Sequence, residues 1–312
     1  MVAVCVIGSL VFDLVVRTSR RPQKGETFSG DYFGMFPGGK GANQAVAASR
    51  LGARAWMCGN VGRDMFGNKL LKSLKDENVR AEYVSKDKKE GTGVASIVVD
   101  AEGDNSIVVV PGANARMSVQ DALRFKPAIR RADAVLLQLE IPLPVVYTSA
   151  RIAKEEGKKV ILNPAPAREI PENLLKLCDA VIPNEQEAAA LARTRVQKRS
   201  DVAYAAKRLR KQGAKDVIVT MGNEGVFWMN EKTQKFFPPF PVNAVDSTAC
   251  GDAFCAAFTV AFCEGKKIPE CIGFACAAGA LTATKFGAQP SLPYRRDVEN
   301  LLRKKHSTRS KT

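Results

Sequence analysis

Apolar positions along the chain alternate between two rhythms. Unbroken runs such as AVCVI, AVLLQL, KVILN and DVIVTM have the length and β-branched content of fully buried strands. They predict strands over 3–7, 55–61, 134–139, 159–163, 180–183 and 216–221. Between them, apolar residues three and four apart predict helices over 42–51, 64–77, 143–156, 185–192, 202–212, 251–263 and 271–285. This alternation predicts an α/β fold of Rossmann-type layering: a central, mostly parallel sheet flanked by helices. One domain over 1–300 is expected, followed by a flexible basic tail at 301–312.

Two stretches break the rhythm. Residues 13–36 and 93–110 read as strands of an inserted, small antiparallel sheet, the second a hairpin turning at 101–105. Ligands of open α/β sheets bind at the carboxyl edge of the strands, so a small sheet placed there would act as a lid.

Composition narrows the chemistry. The 312 residues carry a single histidine, His306. It lies in the tail LLRKKHSTRSKT, so Ser-His-Asp triads, Cys-His pairs and multi-histidine metal sites are nearly excluded, and proton transfer is expected to fall to a carboxylate, Lys, Tyr or Cys. Eight cysteines lie mostly in apolar patterns without any C-x-x-C, which suits small buried side chains in a reducing compartment. No apolar run is long enough to span a membrane and the N-terminus has no basic leader, so a cytoplasmic protein is expected. The final Ser-Lys-Thr is a weak variant of a peroxisomal address, with Thr312 in place of the apolar last residue. The net charge of +15 comes from Lys/Arg runs without interleaved aromatics. It reads as a solvated basic surface that weakly steers anionic substrates, with no nucleic-acid partner.

Two segments carry candidate chemistry. In FGMFPGGKG, Gly34 to Lys40 match G-x-x-x-x-G-K, but Gly41 stands where a Walker A loop places its Mg²⁺-binding Ser or Thr. The preceding GETFSGDYF alternates like a half-exposed strand rather than a buried one. The segment is then either a Gly-rich turn opening a helix or a close backbone approach to a ligand, with the Asn43 amide aimed at it. In AVDSTACGDAF, small residues lead into an apolar helix, exposing free N–H groups that favour an anion. Asp252 in the first turn is either a dipole partner or a general base beside that anion hole.

These segments, with GSLVFD, QLEIP, NPAPA, PNEQEA, TMGNEG and GAQPSLP in order, resemble the ribokinase-like family of carbohydrate kinases over residues 4–296. The segments GGKGANQA, QLEIP, NPAPA and GAQPS are most similar to the family's ribose kinases. The resemblance implies ATP-dependent phosphorylation of D-ribose at its terminal 5-hydroxyl, dependent on Mg²⁺ and activated by K⁺. It implies that Asp252 is the base, with the Ala249, Cys250, Gly251 and Asp252 amides as anion hole. Asp13, Gly39, Lys40, Asn43 and Glu140 would hold the sugar. Asn184, Thr220, Gly222, Gly225, Gly251 and Cys276 would hold the nucleotide, and Glu187 the Mg²⁺ through water. Asp246, Thr248, Thr282, Lys285, Gly287 and Ser291 would form the K⁺ site, and the lid would pair two subunits into a homodimer.

Read singly, Asn184 and Glu187 are equally a helix cap and first-turn charge, Glu140 a strand end and Lys40 a solvated helix start. Two departures from the family matter. Val11 replaces an Asn that many bacterial members use for the sugar. Ala249 and Cys250 replace Gly-Ala in the pattern D-T-x-G-A-G-D-x-F. Cys250, at a helix N-terminus, is expected to have a lowered pKa, so that its oxidation or alkylation blocks catalysis. Val11 keeps open a kinase for another pentose, a nucleoside or a hexose. A non-catalytic sugar or nucleotide sensor is the reading outside enzymology.

Overall fold

In the computed structural model, which describes residues 1–309, thirteen strands form two sheets. The strands are β1 (Ala3–Ile7), β2 (Val11–Arg17), β3 (Tyr32–Gly38), β4 (Arg54–Gly62), β5 (Arg80–Asp87), β6 (Gly93–Val99), β7 (Asn105–Val110), β8 (Ala134–Leu137), β9 (Lys159–Leu162), β10 (Ala180–Val181), β11 (Asp216–Thr220), β12 (Val226–Met229) and β13 (Gln234–Phe237). The large sheet has the order β13-β12-β11-β10-β9-β8-β1-β4-β5. Its pairs are parallel from β11 through β5, and only β11–β12 and β12–β13 are antiparallel. The central strands β1, β8 and β9 are apolar and buried almost throughout because helices cover both faces.

The helices are α1 (Lys40–Arg50), α2 (Met65–Asp76), α3 (Val119–Arg124), α4 (Lys126–Arg131), α5 (Leu143–Glu155), α6 (Glu172–Leu177), α7 (Glu185–Ala192), α8 (Arg199–Lys211), α9 (Cys250–Cys263), α10 (Ile268–Thr282) and α11 (Arg295–Arg309). One core, under α1, α9 and α10, includes Leu10, Val46, Phe254 and Phe258. The other lies on the opposite face and includes Trp56, Phe125 and Val145. Among the described residues no helix is long and apolar enough to cross a membrane.

The second sheet, β3-β2-β6-β7, is the predicted lid. It is mixed rather than wholly antiparallel: the pairs β2–β3 and β6–β7 are antiparallel, and β2 runs parallel to β6. Parallel pairing follows because the chain leaves the large sheet at 8–10 and again at 91–93, entering the lid each time in the same direction. The strand expected from GETFSGDYF begins only at Tyr32. The expected tail is helical through residue 309, because Val298, Leu301 and Leu302 line one face and pack on the first core. Residues 310–312, with the Ser-Lys-Thr ending, lie outside the described residues.

Candidate active site

The candidate site lies where the carboxyl ends of β1, β8, β9 and β10 meet the N-termini of α1, α7 and α9. The Gly-rich segment solves a packing problem there. Gly39 has φ +87°, and a Cβ on it would lie 2.6 Å from the Val11 nitrogen. A Cβ on Gly41 would meet the Gly8–Ser9 backbone at 2.7 Å. The glycines thus let α1 begin against the 8–10 loop. Gly38 serves the site directly: the Asp13 carboxylate lies so close that an added Cβ would be 2.3 Å from its Oδ2.

The start of α1 has no side-chain cap. Instead the Lys40 amide donates to Glu140 Oε2 at 3.1 Å, and Ser9 Oγ donates to the same oxygen. Glu140 is therefore tied into the site rather than being a free strand end. Asn43 and Gln44 on the next turn both reach Asp252. Asn43 Nδ2 donates to Oδ2 at 3.0 Å, and Gln44 Nε2 donates to Oδ1 at 2.9 Å. Asp252 is 6% exposed, so both bonds are made away from water.

Charge concentrates here. Burial, then the Glu140 and Asp252 carboxylates, push the Asp13 carboxyl up to about 7 against the pull of Lys40. Burial raises Asp252 above the usual carboxylate range, opposed by Lys40, Asn43 and Gln44. Burial also raises Glu187. Burial alone would lower the Lys40 ammonium, but Asp252, Glu140 and Glu187 outweigh it and hold it above its ordinary value. Four carboxylates thus share one ammonium, and clustered perturbed groups of this kind mark functional sites.

The N-terminus of α9 supplies the opposite polarity. Its cap, Ala249, sits in the left-handed region at φ 61° with no capping side chain. The Cys250 amide donates to the Ser247 carbonyl at 3.2 Å, which removes it from the expected anion hole. The amides of Ala249, Gly251 and Asp252 have no acceptor among the described residues, so the hole keeps three donors. The Cys250 thiol also differs from expectation. Burial, followed by the Asp246 and Asp252 carboxylates, pushes it up to about 12, and together they outweigh the helix end.

A fold of this kind matches known proteins. The model of the pfkB family carbohydrate kinases matches residues 1–295. The chain belongs to that family. This carbohydrate kinase is 42% identical to ribokinase of Bacillus subtilis over 299 residues, covering 96% of this chain and 99% of the relative. It is 36% identical to deoxyribokinase of Salmonella typhi over 291 residues, 93% of this chain and 95% of that one. Its fold superposes on Arabidopsis thaliana ribokinase complexed with ribose and ATP with a TM-score of 0.90 at 35% identity, covering 97% and 99% of the two chains.

The kinase brings the remaining expected residues together in two groups. Asn184 caps α7 and exchanges bonds with Glu187, whose two oxygens accept the Asn184 amide and Nδ2 at 2.8 and 3.0 Å. Both the cap and the field contact with Lys40 and Asp252 therefore belong to one residue pair. Asn184 forms a parallel bridge with Thr220, which opens the turn holding Gly222 and Gly225. The Phe237 carbonyl is so close that a Cβ on Gly225 would meet it at 2.1 Å, so that glycine answers a packing need. Exposed Gly222, at φ 50°, has open space around it. Cys276 is half-buried on α10, one turn before Gly279, which faces the Cys250 carbonyl.

In the second group, Asp246 Oδ1 accepts the Thr248 amide and hydroxyl at 2.9 and 2.7 Å, while Oδ2 accepts the Gly287 amide at 2.8 Å. The Lys285 amide donates to the Thr282 carbonyl, and buried Ser291 donates to the Ala288 carbonyl. Arg50 fixes the same turn by donating to the Gln289 and Leu292 carbonyls at 2.8 and 2.7 Å.

Sequence reasoning missed Ser9, Gln44, Gln138 and Asn163. Gln138 and Asn163 each end an apolar strand run with a buried amide, at the end of β8 and β9. A polar side chain closing such a run is the signal that could have found them.

Proposed function

We propose that this carbohydrate kinase phosphorylates D-ribose on its terminal 5-hydroxyl with ATP. The observation that carries the reading is the placement of buried Asp252 in the first turn of α9, beside free amides, facing Lys40, Glu140 and Asp13. The ribokinase relatives, and the ribose and ATP held by the Arabidopsis protein, support the choice of substrates. Asp13 would accept hydrogen bonds from sugar hydroxyls, for which a carboxylate against a glycine backbone is well suited. Lys40, Asn43 and Glu140 would set the sugar's orientation, the Asn43 Oδ1 atom being buried and without a partner. Asp252 would take the proton of the 5-hydroxyl as its oxygen attacks the γ-phosphorus in line, and the bond to the ADP oxygen breaks. The amides of Ala249, Gly251 and Asp252 would hold the charge of the transferring group.

The donor sets fit the expected cations. Each Glu187 oxygen accepts one bond from Asn184, leaving lone pairs for the water shell of a Mg²⁺ carried by the nucleotide phosphates. Asp246 with neighbouring carbonyls and hydroxyls is an all-oxygen set suited to a hard monovalent cation. Bound Mg²⁺ would neutralise phosphate charge, and K⁺ would add positive field beside the anion hole. A homodimer is supported by the lid's exposed apolar surface, in which Phe33, Ile107, Val108, Val109 and Val110 are all more than half exposed. Eight cysteines, none of them in a disulfide among the described residues, suit a cytoplasmic setting.

A coupled ADP-release assay with MgATP over ribose, deoxyribose, fructose and adenosine, with K⁺ or a non-activating cation, tests the reading. Turnover greatest on ribose and raised by K⁺ is expected. Greatest turnover on deoxyribose, the substrate in the name of the Salmonella relative, would replace the sugar but keep the chemistry.

A further inference from the structure

A chain of side-chain amides runs along the carboxyl edge of the large sheet and ends on Asp252. Asn163, just past β9, donates through Nδ2 to the carbonyl of Ile182, just past β10, at 3.0 Å. Its Oδ1 is thereby turned towards α1, where it accepts one Nε2 hydrogen of Gln44 at 3.1 Å. The other Nε2 hydrogen of Gln44 goes to Asp252 Oδ1 at 2.9 Å. The Gln44 carbonyl oxygen accepts Nε2 of Gln138, just past β8. All three amides and Asp252 are less than 9% exposed.

The direction of every bond follows from one fixed end. The Ile182 carbonyl can only accept, so Asn163 must present Nδ2 to it and Oδ1 to Gln44. Gln138 donates to Gln44 from the opposite side. A flipped Gln44 would then face two acceptors and one donor with its groups reversed, and would set its oxygen against the Asp252 carboxylate. Three neighbouring strands therefore determine which atom Asp252 meets.

We propose that Gln44 is a positioning residue that fixes the rotamer of Asp252, its own orientation being set by Gln138 and Asn163. This rests on the reading of Asp252 as the base. Asn43, which bonds the other oxygen, leaves Oδ1 free for a ligand, so the two neighbours divide the work. Asn43 joins sugar to base, and Gln44 joins base to fold. A hydrogen bond to a charged group contributes enough that its loss corresponds to roughly a 10–100-fold change.

Gln44→Met keeps length and volume but cannot donate. Gln138→Met, one step removed, leaves Gln44 guided from the Asn163 side only, its carbonyl oxygen without its donor. Each is measured for kcat against pH, for sugar affinity by calorimetry without nucleotide, and for melting temperature, with Asp252→Asn alongside. The groups facing Asp252 are Lys40 on α1, Glu140 after β8, Asp13 on β2, Glu187 on α7, and Cys250 and Cys255 on α9. None of these is altered, so a moved acid limb reports the lost donor. Expected for Gln44→Met are a kcat at least tenfold lower, an acid limb moved to higher pH and sugar affinity within about threefold. Gln138→Met is expected to shift both in the same direction by less. If Asp252→Asn abolishes turnover but both Met variants keep wild-type kcat and acid limb, the positioning role is wrong and the base stands. Loss of sugar affinity equal to the loss of kcat would also overturn it, as a general collapse of the site. If Asp252→Asn turns over normally, the base and the positioning role fall together.

Discussion

Replacing Asp13 by Asn should stabilise the free enzyme while weakening its grip on sugar. Asp13 is half-buried, packed on the Gly38 backbone and facing Glu140 and Asp252, and its carboxyl rises from 3.8 to about 7. The sign follows from proton counting. Between these two values the folded state binds more protons than the unfolded chain, so stability falls as pH rises. The penalty begins near pH 4, is complete near pH 7 and is flat above. At about 1.4 kcal/mol per pH unit it sums to about 4 kcal/mol. The entropy of unfolding of a 312-residue chain converts each kcal/mol into about 1.5 °C. Asn has nearly the same shape and no charge to desolvate. Calorimetric melts without ligand should therefore place Asp13→Asn about 4–6 °C above wild type at pH 8, and within about 2 °C at pH 4.5. Losing a charge-assisted acceptor should weaken ribose binding by roughly 10–100-fold. A variant melting at or below wild type at pH 8 would refute the claim that the site stores unfavourable charge for its ligand.

Other outcomes follow from single features. Ala249 occupies φ 61° without glycine's freedom, so Ala249→Gly should gain about 1 kcal/mol in urea unfolding and keep turnover; a loss of stability would contradict the strain. The Cys250 thiol, pushed up to about 12, should alkylate with iodoacetamide at pH 8 far more slowly than free cysteine. Cys250→Ser should stay within a few-fold of wild-type kcat, and rapid stoichiometric labelling there would restore the redox-sensitive reading. Val108→Glu with Val110→Glu, on the exposed lid strand, should yield monomers in sedimentation if the lid is the dimer surface, and an unchanged dimer would place that surface elsewhere.

The layered fold was legible because burial on both faces of a parallel sheet removes polar residues from β1, β8 and β9, leaving unmistakable apolar runs. Strand β5 and the hairpin β12–β13 were not legible. The first alternates only weakly, and the second is four residues a side at the sheet edge. Helix α11 hid behind its charge, since a narrow apolar stripe of Val298, Leu301 and Leu302 sits among lysines and arginines. Within the site, Asp252 and the small residues before it were local, contiguous and readable. Gln44, Gln138 and Asn163 were not. They lie 94 residues apart in one pair and 119 in another, and only the sheet edge brings their amides into line. The thiol of Cys250 misled for a related reason. Its helix end is visible in sequence, but the burial that dominates it is tertiary.

The central claim is that Asp252 takes the proton of a sugar hydroxyl beside three free amides. Its most direct test is a single-turnover reaction of MgATP and ribose by wild type and Asp252→Asn, with the product resolved by phosphorus NMR. The account predicts ribose 5-phosphate from wild type and, at equal ribose occupancy, a rate lower by roughly 10²–10⁴ from the variant. Ribose 5-phosphate formed by Asp252→Asn at close to the wild-type rate would contradict it.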